Sequence, residues 1–318
     1  MNIFKRIFRL ALPFLLIIAC SKAQEKYMSV TIDDMPYQHQ GMFNGEKQYE
    51  LVGQIIKYLQ KFDIPAVGFV NEGKLFKDGV LDSNKLNILK MWLDAGLEFG
   101  NHTYSHTDIN KVSFEEFKED LLKGAQITRT LAEERGIKYE YFRHPYLRSG
   151  ETEERMLELR NFLKDNNYKV APVTIDNSEW IFAYAYNLAY KKNDTELMNK
   201  LGKDYVDYMI EKIKYWEDQS QKLFGRNIKQ VLLIHANLLN AKYLGNLADA
   251  IKNYGYSFIS LDEALADTAY QSENNYVGKY GPSWIHRWAL ERGVDKQFFE
   301  GEPRVPQYIK DYTDIQYE

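Results

Sequence analysis

Residues 98–108 read EFGNHTYSHTD and hold two of the chain's six histidines, His102 and His106, four apart. If the segment is helical or turn-like, both imidazoles lie on one face. Two imidazoles and one carboxylate form a donor set suited to Zn²⁺, with positions left open for water. Such a set also accepts Co²⁺, Ni²⁺ or Mn²⁺. Alone the pair is a weak signal, since histidines also cap local turns. Asp33-Asp34 supplies the missing carboxylate. Neighbours in a regular strand point to opposite faces, but a strand end can twist so that both reach one site. Two adjacent carboxylates repel. A cation on Asp34 relieves the repulsion and leaves Asp33 free as a base. The competing reading is a turn cap, although Met35-Pro36 is a poor helix start.

Three further groups have the same character. They are Arg143-His144-Pro145-Tyr146, Asp176 with Trp180 four residues on, and His235 after Leu233-Ile234. Each follows a short apolar run that reads as a strand: 27–32, 97–99, 139–142, 168–175 and 231–234, with 66–70 and 257–260 as further strands. Helical spacing falls between them at 46–62, 85–93, 113–132, 152–166, 243–254 and 261–269. Ser113 with Glu116 makes a capping box for the 113–132 helix. A long Tyr- and Lys-rich stretch, 181–224, reads as two helices meeting near Asn193-Asp194. Alternation of this kind implies an α/β fold with a parallel sheet. In such folds sites gather at the C-terminal strand ends, which is where the polar groups stand.

The chain has 318 residues, 45 % apolar and 27 % charged, enough for one large α/β domain with an appendage. The net charge of −4 gives no electrostatic footprint for nucleic acid. Its 24 Tyr, 17 Phe and 5 Trp suit either sugar stacking or core filling. Residues 1–23 read as a targeting segment: basic at Lys5, Arg6 and Arg9, then apolar from Leu10 to Ala19. The lone cysteine, Cys20, ends that run as in a bacterial lipobox, which would make it a lipidated first residue. Cleavage after Ser21-Lys22-Ala23 is the alternative. Either way the protein is expected to be exported to the cell envelope, with a membrane anchor if Cys20 is lipidated. With one cysteine, its stability must come from packing rather than disulfides.

Thr31-Ile32-Asp33-Asp34, His102-Thr103-Tyr104-Ser105-His106, Arg143-His144-Pro145-Tyr146, Asp176 with Trp180, and Leu233-Ile234-His235 resemble, in order, the five motifs of polysaccharide deacetylases, carbohydrate esterase family 4 with its NodB homology domain. The resemblance implies a distorted (β/α) barrel over 24–270, with a helical insertion at 181–229 and an aromatic extension at 271–318 packed on it. It implies metal-dependent hydrolysis of N-acetyl or O-acetyl groups on a carbohydrate. Carried over residue by residue, it makes Asp34, His102 and His106 metal ligands, Asp33 the base and His235 the acid. Arg143 is then the partner of the base, Asp176 the carboxylate that orients His235, and the Tyr146 backbone N–H an oxyanion donor. Tyr146, Trp180 and His144 are candidate substrate contacts.

The sequence departs from the family pattern at His144, which could touch substrate or pack, and in the long insertion before Val231. Trp284 and Trp288, at i, i+4, read as a packed helical face. His286 reads as a local hydrogen-bonding residue and His39 as a loop residue near the mouth. Two other functions stay open: a hydrolase of a non-sugar amide, since the motifs specify acyl chemistry, and an inactive glycan-binding lipoprotein. A binder has no use for Asp33, Arg143, Asp176 and His235 beside the ligands.

Overall fold

A computed structural model describes residues 25–39 and 41–317, so the targeting segment and Cys20 lie outside the described residues. The chain runs β1 (Lys26–Met35), α1 (Gly45–Lys61), β2 (Val67–Val70), a small hairpin β3 (Phe76–Lys77) and β4 (Val80–Leu81), then α2 (Ser83–Asp94) and β5 (Glu98–Asn101). It continues with α3 (Phe114–Lys123), α4 (Gln126–Glu133), β6 (Tyr141–Phe142), α5 (Glu153–Asp165), β7 (Lys169–Val170), α6 (Glu179–Lys191) and α7 (Thr195–Phe224). Last come β8 (Gln230–His235), α8 (Leu238–Asn253), β9 (Tyr256–Phe258), α9 (Leu261–Leu265), α10 (Trp284–Glu291) and α11 (Gln307–Thr313).

The main sheet is parallel, ordered β7-β6-β5-β2-β1-β8, with β9 on the N-terminal part of β1. The chain after β7 joins the two ends of this sheet. Ala171 N–H donates to Phe142 O at 2.8 Å on one side, and Ile175 N–H donates to Val231 O at 3.0 Å on the other. The sheet thereby curls into a distorted barrel. The expected continuous 168–175 strand is this crossing: only Lys169–Val170 and an isolated bridge at Ile175 pair, because the segment leaves one edge to reach the other.

Side chains alternate across a strand, and here the two faces differ in chemistry. Met28, Val30 and Ile32 of β1 join the outer core beneath the helices, where α1 buries Leu51, Val52, Ile55, Ile56 and Leu59. Each such side chain contributes about 1.5–3 kcal/mol of apolar burial. On the other face lie Ser29, Thr31 and Asp33 of β1, and Val231, Leu233 and His235 of β8. Val67, Phe69, Tyr141, Ala171 and Val231 form a separate cluster with Leu261 and Ala264 of α9. The same alternation carries Arg143 beyond Tyr141, and its guanidinium lies over the Phe69 ring at 4.6 Å.

The expected 113–132 helix starts with the capping box at Ser113 but divides into α3 and α4. At Gly124 the histidine-bearing loop presses onto the helix: a Cβ there would sit 2.5 Å from Tyr104 N and 2.6 Å from Thr103 C. Residues 261–269 likewise divide into α9 and a 3-10 turn at Thr268–Gln271. The 181–224 stretch forms α6 and α7 with their junction at Asn193-Asp194, as the spacing predicts. The aromatic extension beyond Gln271 contains α10 and α11. Trp284 and Trp288 are both buried, consistent with a packed face. His286 is not a local hydrogen-bonder: its Nε2 meets Tyr215 Oη of α7 at 3.1 Å. Among the described residues no helix is long and apolar enough to cross a membrane.

Candidate active site

At the C-terminal end of β1 the chain bulges. Ile32 pairs with Gly68 and Met35 with Val70, so β1 spends one extra residue, and Asp34 sits at φ +67°. This left-handed residue breaks the alternation and lets Asp34 turn toward the side Asp33 already faces. The two histidines converge by a different route from the helical one. Residues 102–106 form a loop, with Thr103 at φ +62° and His106 at φ +57°. The loop is tied on all sides. Tyr104 N–H donates to Asp120 O at 3.0 Å, Ser105 N–H to Asp120 Oδ2 at 3.0 Å, and Thr103 N–H to Asn101 Oδ1 at 2.8 Å. Asn71 Nδ2 donates to His102 O at 2.6 Å.

Asp34, His102 and His106 each offer a donor atom, all within 4.8 Å of one another. His106 Nε2 and Asp34 Oδ1 are 3.7 Å apart, close to the roughly 3.3–3.6 Å edge of a tetrahedron with bonds of 2.0–2.2 Å. His102 Nδ1 faces Arg143 O at 2.8 Å. A carbonyl only accepts, so the proton is on Nδ1 and the Nε2 lone pair is free. Burial lowers the proton affinity of both histidines and keeps them neutral. Burial alone would raise Asp34, yet the Lys74 ammonium beside it holds it well below the ordinary carboxylate range. Lys74 Nζ donates to Asp34 Oδ1 at 2.8 Å. The residues present fit a divalent ion: neutral imidazoles, an ionised carboxylate and a ring tautomer already selected.

Asp33 and His235 are direct cross-strand neighbours on β1 and β8. Asp33 is almost fully buried. Arg143 Nη1 donates to both its oxygens at 3.3 Å, while Nη2 donates to Thr31 Oγ1 at 2.9 Å and Nε to Ala171 O at 2.8 Å. Burial pushes the Asp33 carboxyl up, and the pull of Arg143 and His235 only partly offsets it.

The carboxylate that holds His235 is Glu179, and this corrects the expectation for Asp176. His235 Nδ1 meets Glu179 Oε2 at 2.7 Å. The other oxygen, Oε1, accepts from Asn237 Nδ2 at 2.6 Å and Asn240 Nδ2 at 2.7 Å. Asp176 ends the crossing segment, one turn before Glu179 opens α6, and it faces Lys212 instead. Burial lowers the proton affinity of His235, but Glu179, together with Asp34 and Asp33, outweighs burial and the net shift is upward. The sequence signals for Glu179 were its place beside Trp180 and the Asn237/Asn240 pair at i, i+3. Lys74 carried no such signal.

Tyr146 and Leu147 both take left-handed backbone, φ +56° and +55°. The exposed Tyr146 ring stands edge-on to His106, centroids 4.4 Å apart. A buried arginine of α10 secures this turn: Arg287 donates to Leu147 O, to Ser149 Oγ at 3.2 Å and to Pro282 O at 2.9 Å. Gly281 packs so closely here that a Cβ would lie 2.2 Å from Tyr146 O. His144 packs edge-on to Phe142 and stacks near Trp284. It also borders the cavity, and burial pushes its proton affinity down to about 3. Trp180 lines the mouth beside Tyr317. His39 is half-buried near Glu179 and His235. One cavity of about 690 Å³ takes in Asp33, Asp34, His102, His106, Tyr146 and His235.

Residues 21–171 match the family described as polysaccharide deacetylase. The peptidoglycan-N-acetylglucosamine deacetylase of Bacillus cereus is 31 % identical over 124 residues, which span 39 % of this chain and 39 % of the relative. Among solved structures, a mutant of a Bacillus anthracis CE4 family pseudoenzyme with restored enzymatic activity is 20 % identical. That likeness covers 76 % of this chain and 68 % of the other, with a TM-score of 0.50, and it shows the fold. The matched residues carry Asp33, Asp34, both loop histidines and Arg143, so this part of the chain is similar to the polysaccharide deacetylase family, and the curled parallel sheet that extends beyond it shares the fold of the solved relative.

Proposed function

We propose that this protein is a metal-dependent deacetylase that hydrolyses N-acetyl or O-acetyl groups on a carbohydrate of the cell envelope. The observation that carries the reading is the pairing of Asp33 with His235 on adjacent strands, beside the Asp34, His102 and His106 donor set. A divalent ion held by those three residues, Zn²⁺ first among the candidates, supplies a water of lowered pKa and a Lewis acid for the acetyl carbonyl. Asp33 accepts the proton of the attacking water, and burial that raises its proton affinity favours this transfer. Arg143 fixes the position of Asp33. His235, charged through Glu179, gives its proton to the departing amine or alcohol. The backbone N–H of Tyr146 would donate to the oxyanion as it develops. Export, with an anchor at Cys20 or release by cleavage after Ala23, is part of the same proposal.

The test is acetate release by full-length protein, metal-stripped and reloaded with Zn²⁺, from a panel of acetylated glycans with an acetylated aryl ester as control. Metal-dependent acetate from a glycan is the expected result. Asp33→Asn should lower kcat by about 10²–10⁴-fold while metal content stays near wild type. An Asp33→Asn variant with full turnover removes the base assignment.

A further inference from the structure

The cavity extends past the reacting groups into a region built by α7 and the chain after α10, outside the family-matched residues 21–171. There Lys212 of α7 is only 3 % exposed, yet it lines the cavity. Its hydrogen bond goes to Glu302. An ammonium has three donors, so one acceptor leaves it able to serve another. Asp176 stands beside this pair, with burial raising its proton affinity to about 6 against the pull of Lys212. One Asp176 oxygen accepts from Asn177 N–H at 2.9 Å. Trp216 braces the strand end, donating to Asp176 O at 2.8 Å.

Taking an ammonium out of water costs several kcal/mol unless it is well paired. A methionine would fill the same space without that cost, so a charge kept here points to a ligand. Arg304 lines the same part of the cavity, so two cations, Lys212 and Arg304, stand with two carboxylates and the charges nearly cancel. A charged substituent of either sign would meet groups of its own sign. Hydroxyls both donate and accept, and they satisfy both signs at once. Trp180 and Tyr317 at the mouth, centroids 6.1 Å apart, offer aromatic faces to a sugar ring.

We propose that Lys212, Glu302 and Asp176 form a subsite for a neutral, hydroxyl-bearing sugar ring next to the acetylated one. The subsite rests on the deacetylase reading above and narrows its substrate to a saccharide of at least two rings.

The test uses full-length, Zn²⁺-loaded protein with N-acetylglucosamine oligomers and acetylated xylo-oligosaccharides of one to four rings, the latter with and without uronic-acid rings, and with the acetylated aryl ester as control. In the wild type, KM should fall at least tenfold from one ring to two. Lys212→Met and Glu302→Gln should each lose that gain, with kcat on the longer substrate within about threefold of wild type. Thermal midpoints check that both variants fold, and Glu302→Gln stands alone if Lys212→Met does not. No length dependence in the wild type, or variants that keep it, overturns the subsite. A preference for rings bearing a carboxylate overturns the neutral-ring assignment. If the aryl ester is cleaved and no glycan is, the glycan reading fails and the subsite with it. If nothing is cleaved with metal bound, the hydrolytic reading itself fails.

Discussion

Replacing Glu179 by glutamine tests the acid half of the site with almost no change of volume. Glu179 is fully buried and shares its two oxygens between His235 on one side and Asn237 and Asn240 on the other. In Glu179→Gln the amide oxygen would stay with the two asparagine donors, so the amide N–H₂ would face His235 Nδ1. Two donors cannot share that contact, so Nδ1 must give up its proton and the imidazolium loses its partner. A hydrogen bond to a charged group contributes about 1.5–3 kcal/mol. If that stabilisation is specific to the protonated ring, kcat above the alkaline limb falls roughly 10- to 150-fold. The sign follows from the role. A general acid works only while protonated, Glu179 raises His235, and its removal moves the alkaline limb to lower pH. The assay is kcat for acetate release from pH 5 to 9, with metal content and thermal midpoint as controls. A limb that stays in place, with kcat within threefold of wild type, would refute the coupling. Asp176→Asn supplies the contrast: Asp176 does not contact His235, so the limb should stay put while KM changes.

Gly124→Ala should force the Thr103–Tyr104 backbone away, costing about 1–3 kcal/mol of stability and weakening Zn²⁺ uptake. Wild-type metal affinity by competition titration would count against the loop argument. Arg287→Met should leave Leu147 O and Ser149 Oγ short of a donor, at about 1–3 kcal/mol each. The urea midpoint reads this loss, and Arg287→Lys should not restore it, because one ammonium cannot span the same three acceptors. His286 is buried and its proton affinity is pushed down to about 4, burial being the main cause. Below pH 6.5 the unfolded chain takes up a proton that the native protein refuses, so stability falls as the pH drops toward 4. The loss reaches about 3 kcal/mol. His286→Gln keeps an acceptor for Tyr215 and should flatten the slope of thermal midpoint against pH in that window. An unchanged slope would show that His286 is not the group responsible.

Much of this protein was legible in its sequence because strand ends are local features. An apolar run followed by a polar cluster marked Asp33-Asp34, His102, Arg143 and His235, and the parallel sheet then carries these residues to one cavity. Residues 113–132 were read as one helix; the helical character was legible, but not the break at Gly124. That break is imposed by a loop twenty residues earlier in the chain, and helical periodicity does not report it. The route by which His106 reaches the site was left open between a helix and a turn for a related reason: four-residue spacing suits both, and asparagine and aspartate contacts from other elements decide for a loop with two left-handed residues. Asp176 and Glu179 are both acidic and three residues apart. Only the start of α6 and the two asparagines around His235 decide which carboxylate the ring meets. Lys74, Lys212, Arg287 and Glu302 stand in ordinary charged contexts along the chain. Their significance comes from partners 40 to 140 residues away. The sequence by itself determined the fold class and which residue types follow each strand, since alternation and strand-end polarity are written locally. The tertiary structure decided which carboxylate, which tautomer and which arginine serve the site, because those depend on distances between elements that share no stretch of sequence.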